Sequence, residues 1–226
     1  MLLAYNGCVN KISPVKAVLF DYGVVLSGPP DPTAWDQMLA ITGLSEAEFG
    51  PAYWAPRHDY DRGFHTGMQY WRETGKHAGL ELSERQVAKL IDADNELWTK
   101  VNQPMVDWAL RLQAAGTPTG VLSNLGDALT EGVLARQAWL RGFDHLVWSH
   151  SLKLAKPDPE IYRIAAQEFG YEAANILFID DRENNVAAGV AAGMHVILYT
   201  TQAAFEHEME QRGLRALWQT GITGTK

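Results

Sequence analysis

The stretch that most constrains the fold is Val15-Lys16-Ala17-Val18-Leu19-Phe20-Asp21-Tyr22-Gly23-Val24-Val25. It is an apolar run bounded by Pro14 and Gly23. Such a run reads as a parallel strand buried on both faces. Asp21 then sits at its carboxyl end, the edge where ligands bind in open α/β sheets. By itself the carboxylate reads more readily as a turn or cap residue. Only the rest of the chain decides between the two.

After Ser27-Gly28-Pro29-Pro30 the texture changes, and helix-start signals recur until about residue 100. Asp31-Pro32 supplies an N-cap and a first-turn proline. Ser45-x-x-Glu48, Thr66-x-x-Gln69 and Ser83-x-x-Gln86 match the capping box. They predict helices near 32–42, 46–53, 67–78 and 84–98. From residue 104 strands and helices alternate. A helix from Pro104 closes at Gly116. Strands are expected at Thr119–Ser123, His145–Ser149, Ile176–Asp180 and His195–Tyr199. Helices are expected near 127–140, 158–169, 186–192 and 203–213. Alternation at this spacing implies crossovers and a parallel sheet. The expected fold is α/β, a Rossmann-like parallel-sheet core with an inserted all-helical cap. The core comprises 11–27 and 101–215, the cap 28–100, and residues 1–14 a loose lead-in.

Three expected strands end in polar residues: Asp21, Ser123-Asn124 and Asp180-Asp181. All converge on one sheet edge. Carboxylates so placed repel one another unless a cation or proton intervenes. Oxygen-only ligands without thiol or imidazole point to magnesium. Lys156, held by Pro157 in an extended segment, belongs either to the same edge or to a structural ion pair. Of the 226 residues, 46% are hydrophobic and 20% charged, enough for a sizeable core. A formal charge of −8 with no basic patch argues against nucleic acid or an anionic membrane as partner. No apolar segment approaches spanning length. The single cysteine, Cys8, fits a reducing cytoplasm.

Taken in order, "VLFDYGVVL", "VLSN", "LAKPDPEIY" and "ILFIDDRENNVAAGVAAGMHVI" resemble the four motifs of the haloacid dehalogenase superfamily of Asp-nucleophile hydrolases. The helical insert stands in that family's usual place. The closest likeness is to its sugar-phosphate phosphatases and to the phosphatase domain of soluble epoxide hydrolases. The resemblance implies that Asp21 attacks phosphorus and forms an aspartyl-phosphate, so that hydrolysis proceeds in two displacements. It implies that Asp21, the Gly23 carbonyl and Asp181 hold magnesium, with Asp180 in support and Asn185 behind the metal loop. Ser123 and the Asn124 backbone would bind the transferring oxygens, and Lys156 would neutralise developing charge. The expected ligand is a small phosphorylated metabolite. Gly23 stands where most such phosphatases carry a proton-donating Asp. The proton must then come from water or from a cap residue such as His58, Asp59 or Asp61. A 2-haloacid dehalogenase of the same fold is the alternative enzyme, and a non-catalytic binding member the alternative class. Asp180-Asp181 favours the metal-dependent phosphatase.

Within the insert, Trp35, Trp54, Trp71 and Trp98 with Tyr53, Tyr60 and Tyr70 read mostly as the core of a small bundle, with one or two of them as candidates to face the cleft and contact a sugar-like substrate. The stretch Arg57-His58-Asp59-Tyr60-Asp61-Arg62 reads either as a solvated loop or as a specificity loop. In the second case Arg57, His58 or Arg62 meets the substrate's leaving group.

Overall fold

β1 (Ala17–Phe20) lies at the centre of a five-stranded, all-parallel sheet of order β3-β2-β1-β4-β5. This is a computed structural model describing residues 14–220; the lead-in through residue 13, with Cys8, lies outside the described residues. From β1 the chain passes through a kinked turn, Tyr22–Leu26, into five helices: α1 (Pro32–Thr42), α2 (Glu46–Trp54), α3 (Arg57–Asp61), α4 (Gly67–His77) and α5 (Glu84–Leu97). α6 (Gln103–Ala114), β2 (Thr119–Ser123), α7 (Asp127–Arg136), β3 (His145–Trp148), α8 (Ser149–Leu152) and α9 (Pro159–Phe169) follow. β4 (Ile176–Asp180), α10 (Glu183–Ala191), β5 (His195–Leu198), α11 (Gln202–Gln211) and α12 (Arg215–Thr220) complete the described chain.

Both faces of the sheet are covered, which is why its strands read as continuous apolar runs. Val18, Phe20, Val121, Leu177 and Ile179 pack on one face with Trp108 and Phe205. Leu19, Leu122, Ile176 and Phe178 pack on the other with Ile161, Tyr162 and Ala165. The chain leaves β1 toward β2 and β3, then returns to add β4 and β5 on the other side. The order therefore reverses between β1 and β4, where a doubly wound sheet opens a crevice at its carboxyl edge. Asp21 N–H donates to the Ile179 carbonyl at 2.8 Å, which sets Asp21 beside Asp180 at that reversal.

The helix-start signals act as expected. Thr66 with Gln69, and Ser83 with Gln86, each close reciprocal capping bonds. Ser45 N–H donates to Glu48 at 2.9 Å. The insert is entered and left through two paired segments. Gly28 N–H donates to Lys100 at 2.7 Å and Asn102 N–H to Leu26 at 3.0 Å, around an antiparallel Ser27–Val101 bridge. Three local expectations are corrected. The expected helix 127–140 ends at Arg136 and resumes as a tighter turn, because the Gln137 side chain is drawn to the Thr99 carbonyl and Trp139 Nε1. Ser149 begins a one-turn helix rather than ending β3. Residues 57–61 form α3 rather than a loop. Among the described residues, no helix is long and apolar enough to cross a membrane.

Candidate active site

Each polar strand end of the sequence meets the others in one cleft. Its lining includes Asp21, Gly23, Ser123, Asn124, Lys156 and Asp181 from the sheet side, and Trp54, Arg57, Asp61 and Trp98 from the insert. The turn after Asp21, which is buried at the base of the cleft, has an unusual backbone. Val24 lies at φ 61°, ψ −26°, a conformation costly for a β-branched residue, and its N–H is held by Ser27 Oγ at 2.9 Å. Gly23 itself has φ −61°, ψ 130°, open to any side chain, and a Cβ there would meet nothing within 4 Å.

Lys156 is the hub. Its ammonium donates to the Leu122 carbonyl at 2.8 Å and to Asp180 Oδ2 at 2.6 Å, and lies 2.9 Å from Asp21 Oδ1. An ammonium has three donors, so all are engaged. Asn124 fixes the lysine's backbone at both polar groups: its Oδ1 accepts from Lys156 N at 2.8 Å, and its Nδ2 donates to Lys156 O at 2.9 Å. Asp180 is fully buried and fully bonded, accepting from Lys156, the Arg182 N–H and Asn185 Nδ2. Asn185 therefore holds Asp180 rather than facing the cleft alone. Asp21 Oδ1 accepts from Tyr22 N–H at 2.7 Å besides facing Lys156, whereas its Oδ2 makes no hydrogen bond among the described residues.

Burial pushes the Asp21 carboxyl up to about 6; Lys156 opposes the rise, and Asp180 and Asp181 add to it. Asp181 is half-buried and raised by burial and by Asp180. Carboxylate oxygens of Asp21, Asp180 and Asp181 all lie within 4.8 Å of one another. One lysine faces three carboxyls, and every donor atom in the group is a hard oxygen. Such a site fits a hard divalent cation.

The insert's ionisable stretch divides by face. In α3, Arg57 and Asp61 stand four residues apart and point inward, while His58 and Asp59 are exposed. Arg57 is held by Asp61 at 2.9 Å and by Tyr53 Oη at 2.6 Å, within a ring of Tyr53, Trp54, Tyr60 and Tyr70. Arg62 lies over the Phe64 ring and, like His58, is not part of the cleft lining. Sequence reasoning missed Arg182 at the rim, although its place directly after Asp181 was visible.

The sequence model of the haloacid dehalogenase-like hydrolases matches residues 15–193. An (S)-2-haloacid dehalogenase of Pseudomonas putida is 28% identical over 141 residues, 62% of this chain and 61% of its own. Bifunctional epoxide hydrolase 2 of Sus scrofa is 28% identical over 222 residues, 87% of this chain and 38% of its own. The chain thus spans about six-tenths of the dehalogenase and under four-tenths of the epoxide hydrolase. A solved enzyme of Bacteroides thetaiotaomicron superposes with a TM-score of 0.71 at 20% identity, covering 87% of this chain and 99% of its own. Its complex with magnesium and inorganic phosphate superposes at 0.65, with 19% identity over 86% of this chain and 98% of that one. At such identities the likeness establishes the fold.

Proposed function

The chain belongs to the haloacid dehalogenase-like hydrolase family, and we propose that it is a magnesium-dependent phosphatase of small phosphate monoesters. Its reaction runs through an aspartyl-phosphate on Asp21. The observation that carries this reading is the three-carboxylate cluster beside a single lysine. A phosphate would add still more negative charge where the described chain already has an excess. The complex of the Bacteroides neighbour with magnesium and phosphate supports the same reading.

The Asp21 carboxylate, the Gly23 carbonyl and Asp181 would hold the ion, since the oxygens of Asp180 are committed within the protein. Bound there, the ion would supply positive charge that offsets the repulsion between the nucleophile and a phosphate. Asp21 Oδ2 is the attacking atom, because Oδ1 is held by Tyr22 and Lys156. Lys156 fixes the carboxylate's rotation and neutralises it as the phosphate approaches. Asp180 and Asn124 position Lys156. Ser123, buried in the cleft, and the Asn124 backbone bind the transferring oxygens. Residues 28–100 act as a cap over a core of 11–27 and 101–215. Arg57 enters the specificity of that cap through the shape and charge it gives the cleft wall, and His58 and Arg62 from outside the lining.

One observation favours a second reading, a 2-haloacid dehalogenase: the Lys156 ammonium already compensates Asp21 without any metal. Phosphate release from a panel of monoesters, with magnesium and with excess chelator, run beside halide release from 2-haloacids, separates the two. Phosphate release that chelation abolishes and magnesium restores is expected. Halide release that survives chelation, without phosphatase activity, would overturn the proposal.

A further inference from the structure

Breaking the ester bond of an alkyl or sugar phosphate requires a proton, because an alkoxide is a poor leaving group. Gly23 has no side chain to supply one. The lysine's three donors are engaged, and the Tyr22 hydroxyl is spent on the Trp98 carbonyl at 2.9 Å. Three carboxyl side chains line the cleft: Asp21, Asp61 and Asp181. The proposed function uses the first as nucleophile and the third as metal ligand. Asp61 has no assigned part.

Its placement is built rather than incidental. α3 turns Asp61 inward with Arg57, and Ser149 Oγ donates to the Asp61 carbonyl, pinning the end of the helix to the core. Asp61 Oδ1 accepts from Arg57 Nε at 2.9 Å. Oδ2 makes no hydrogen bond among the described residues, and the side chain keeps 15% of its surface accessible. The Asp61 side chain, with one oxygen free of the arginine, lines the cleft.

The surroundings favour a proton on this group. Arg57 faces two carboxyls, since Asp94 Oδ2 lies 3.7 Å from its Nη1 and Asp94 Oδ1 accepts from Tyr53 Oη at 2.8 Å. Arg182 at the rim is the other cation acting on Asp61. Arg57 is thus shared between two acids, buried Asp94 and partly buried Asp61. Burial raises both above the ordinary carboxylate range, although Arg57 opposes it. A phosphate bound in the cleft would add to that preference.

We propose that Asp61 is the proton donor to the leaving group, reaching the reaction from the helical insert. The proposal rests on the phosphatase reading. As the bond from Asp21 Oδ2 to phosphorus forms, the phosphorus–ester oxygen bond breaks. The ester oxygen keeps the electron pair and takes the proton of Asp61, and the alcohol departs. Asp61, now a carboxylate, accepts a proton from the water whose oxygen attacks phosphorus. The Asp21–phosphorus bond then breaks with its pair returning to the carboxylate, and phosphate leaves. Both aspartates end as they began.

The test uses the full chain with magnesium and two probes, p-nitrophenyl phosphate and glycerol 2-phosphate. A nitrophenolate needs little protonation, whereas the alkoxide needs it fully. For Asp61→Asn the ratio of alkyl to aryl kcat is expected to fall by about 10²-fold or more, the usual worth of a general acid. Adding Gly23→Asp, whose Cβ has free space, is expected to recover at least about tenfold of that ratio. If Asp61→Asn does not fold, the wild type alone decides. A shallow dependence of kcat on leaving-group pKa across a series of esters supports the donor, and a steep one overturns it. An unchanged ratio in Asp61→Asn, with both esters still hydrolysed, overturns Asp61 alone. A wild type that releases phosphate from neither ester overturns the phosphatase reading with it.

Discussion

Lys156 holds one charge between two carboxylates at 2.6 and 2.9 Å, with 1% of its side chain exposed. Removing one partner of a buried ion pair strands the other charges, at a cost of about 3–5 kcal/mol. Lys156→Met keeps an apolar stem and discards the ammonium, which lies 5.5 Å from the centre of the Phe178 ring. It is expected to lose that much stability in urea denaturation at pH 7, together with turnover. Asp21→Asn is the complementary change. The amide keeps the shape but cannot attack phosphorus, so kcat is expected to fall by at least about 10³-fold with the denaturation midpoint nearly preserved. A variant free of deamidation that kept a tenth of wild-type kcat would exclude Asp21 as the nucleophile. These residues were legible because strand-end carboxylates and a Lys-Pro loop leave a trace in order and spacing. The roles of Asn124 and Asn185 were less so. An amide that clamps a backbone at 2.8 and 2.9 Å looks, in sequence, like one that faces a ligand.

At the level of elements, the insert meets the core where side chains are missing. A Cβ on Gly132 of α7 would lie 2.2 Å from the Asn95 side chain of α5, and one on Gly126 would lie 2.2 Å from the Tyr60 ring. Gly132→Ala is therefore expected to wedge α5 off α7. We expect a loss of about 1–3 kcal/mol from overpacking, and a rise in KM larger than the fall in kcat as the cleft wall is displaced. Steady-state kinetics beside thermal denaturation would check it; unchanged KM with normal stability would show that this contact does not shape the cleft. Neither glycine stands out in the sequence, since close approach across a packed interface has no local signature. The same holds for α3. Five residues without a side-chain cap give no periodicity to read, so which of the stretch's candidates line the cleft, Arg57 and Asp61 rather than His58, Asp59 or Arg62, emerged only with the structure. The longer cap helices were legible because Thr66–Gln69 and Ser83–Gln86 mark their starts chemically.

Across the whole molecule, acids buried with too few cations make stability depend on pH. Asp61 and Asp94 are both raised by burial. A carboxyl raised on folding binds more protons folded than unfolded, so stability falls as pH rises. The fall begins near the ordinary value of 3.8 and continues to the raised one. In excess magnesium, Tm is expected to decline from pH 4 toward neutrality, and Asp94→Asn to flatten that decline. A profile that Asp94→Asn left unaltered would place the proton uptake elsewhere. The paired segments at Ser27–Val101 bear on how such a molecule can vary. Seventy-odd residues leave the sheet and rejoin it at one hydrogen-bonded seam, with their ends side by side. Replacing that excursion with a short turn, or with a different bundle, would disturb no strand pairing. The insert is in this sense an exchangeable module, and an exchange at the seam would leave Asp21 and Lys156 in place while discarding Asp61 with the rest of the helices.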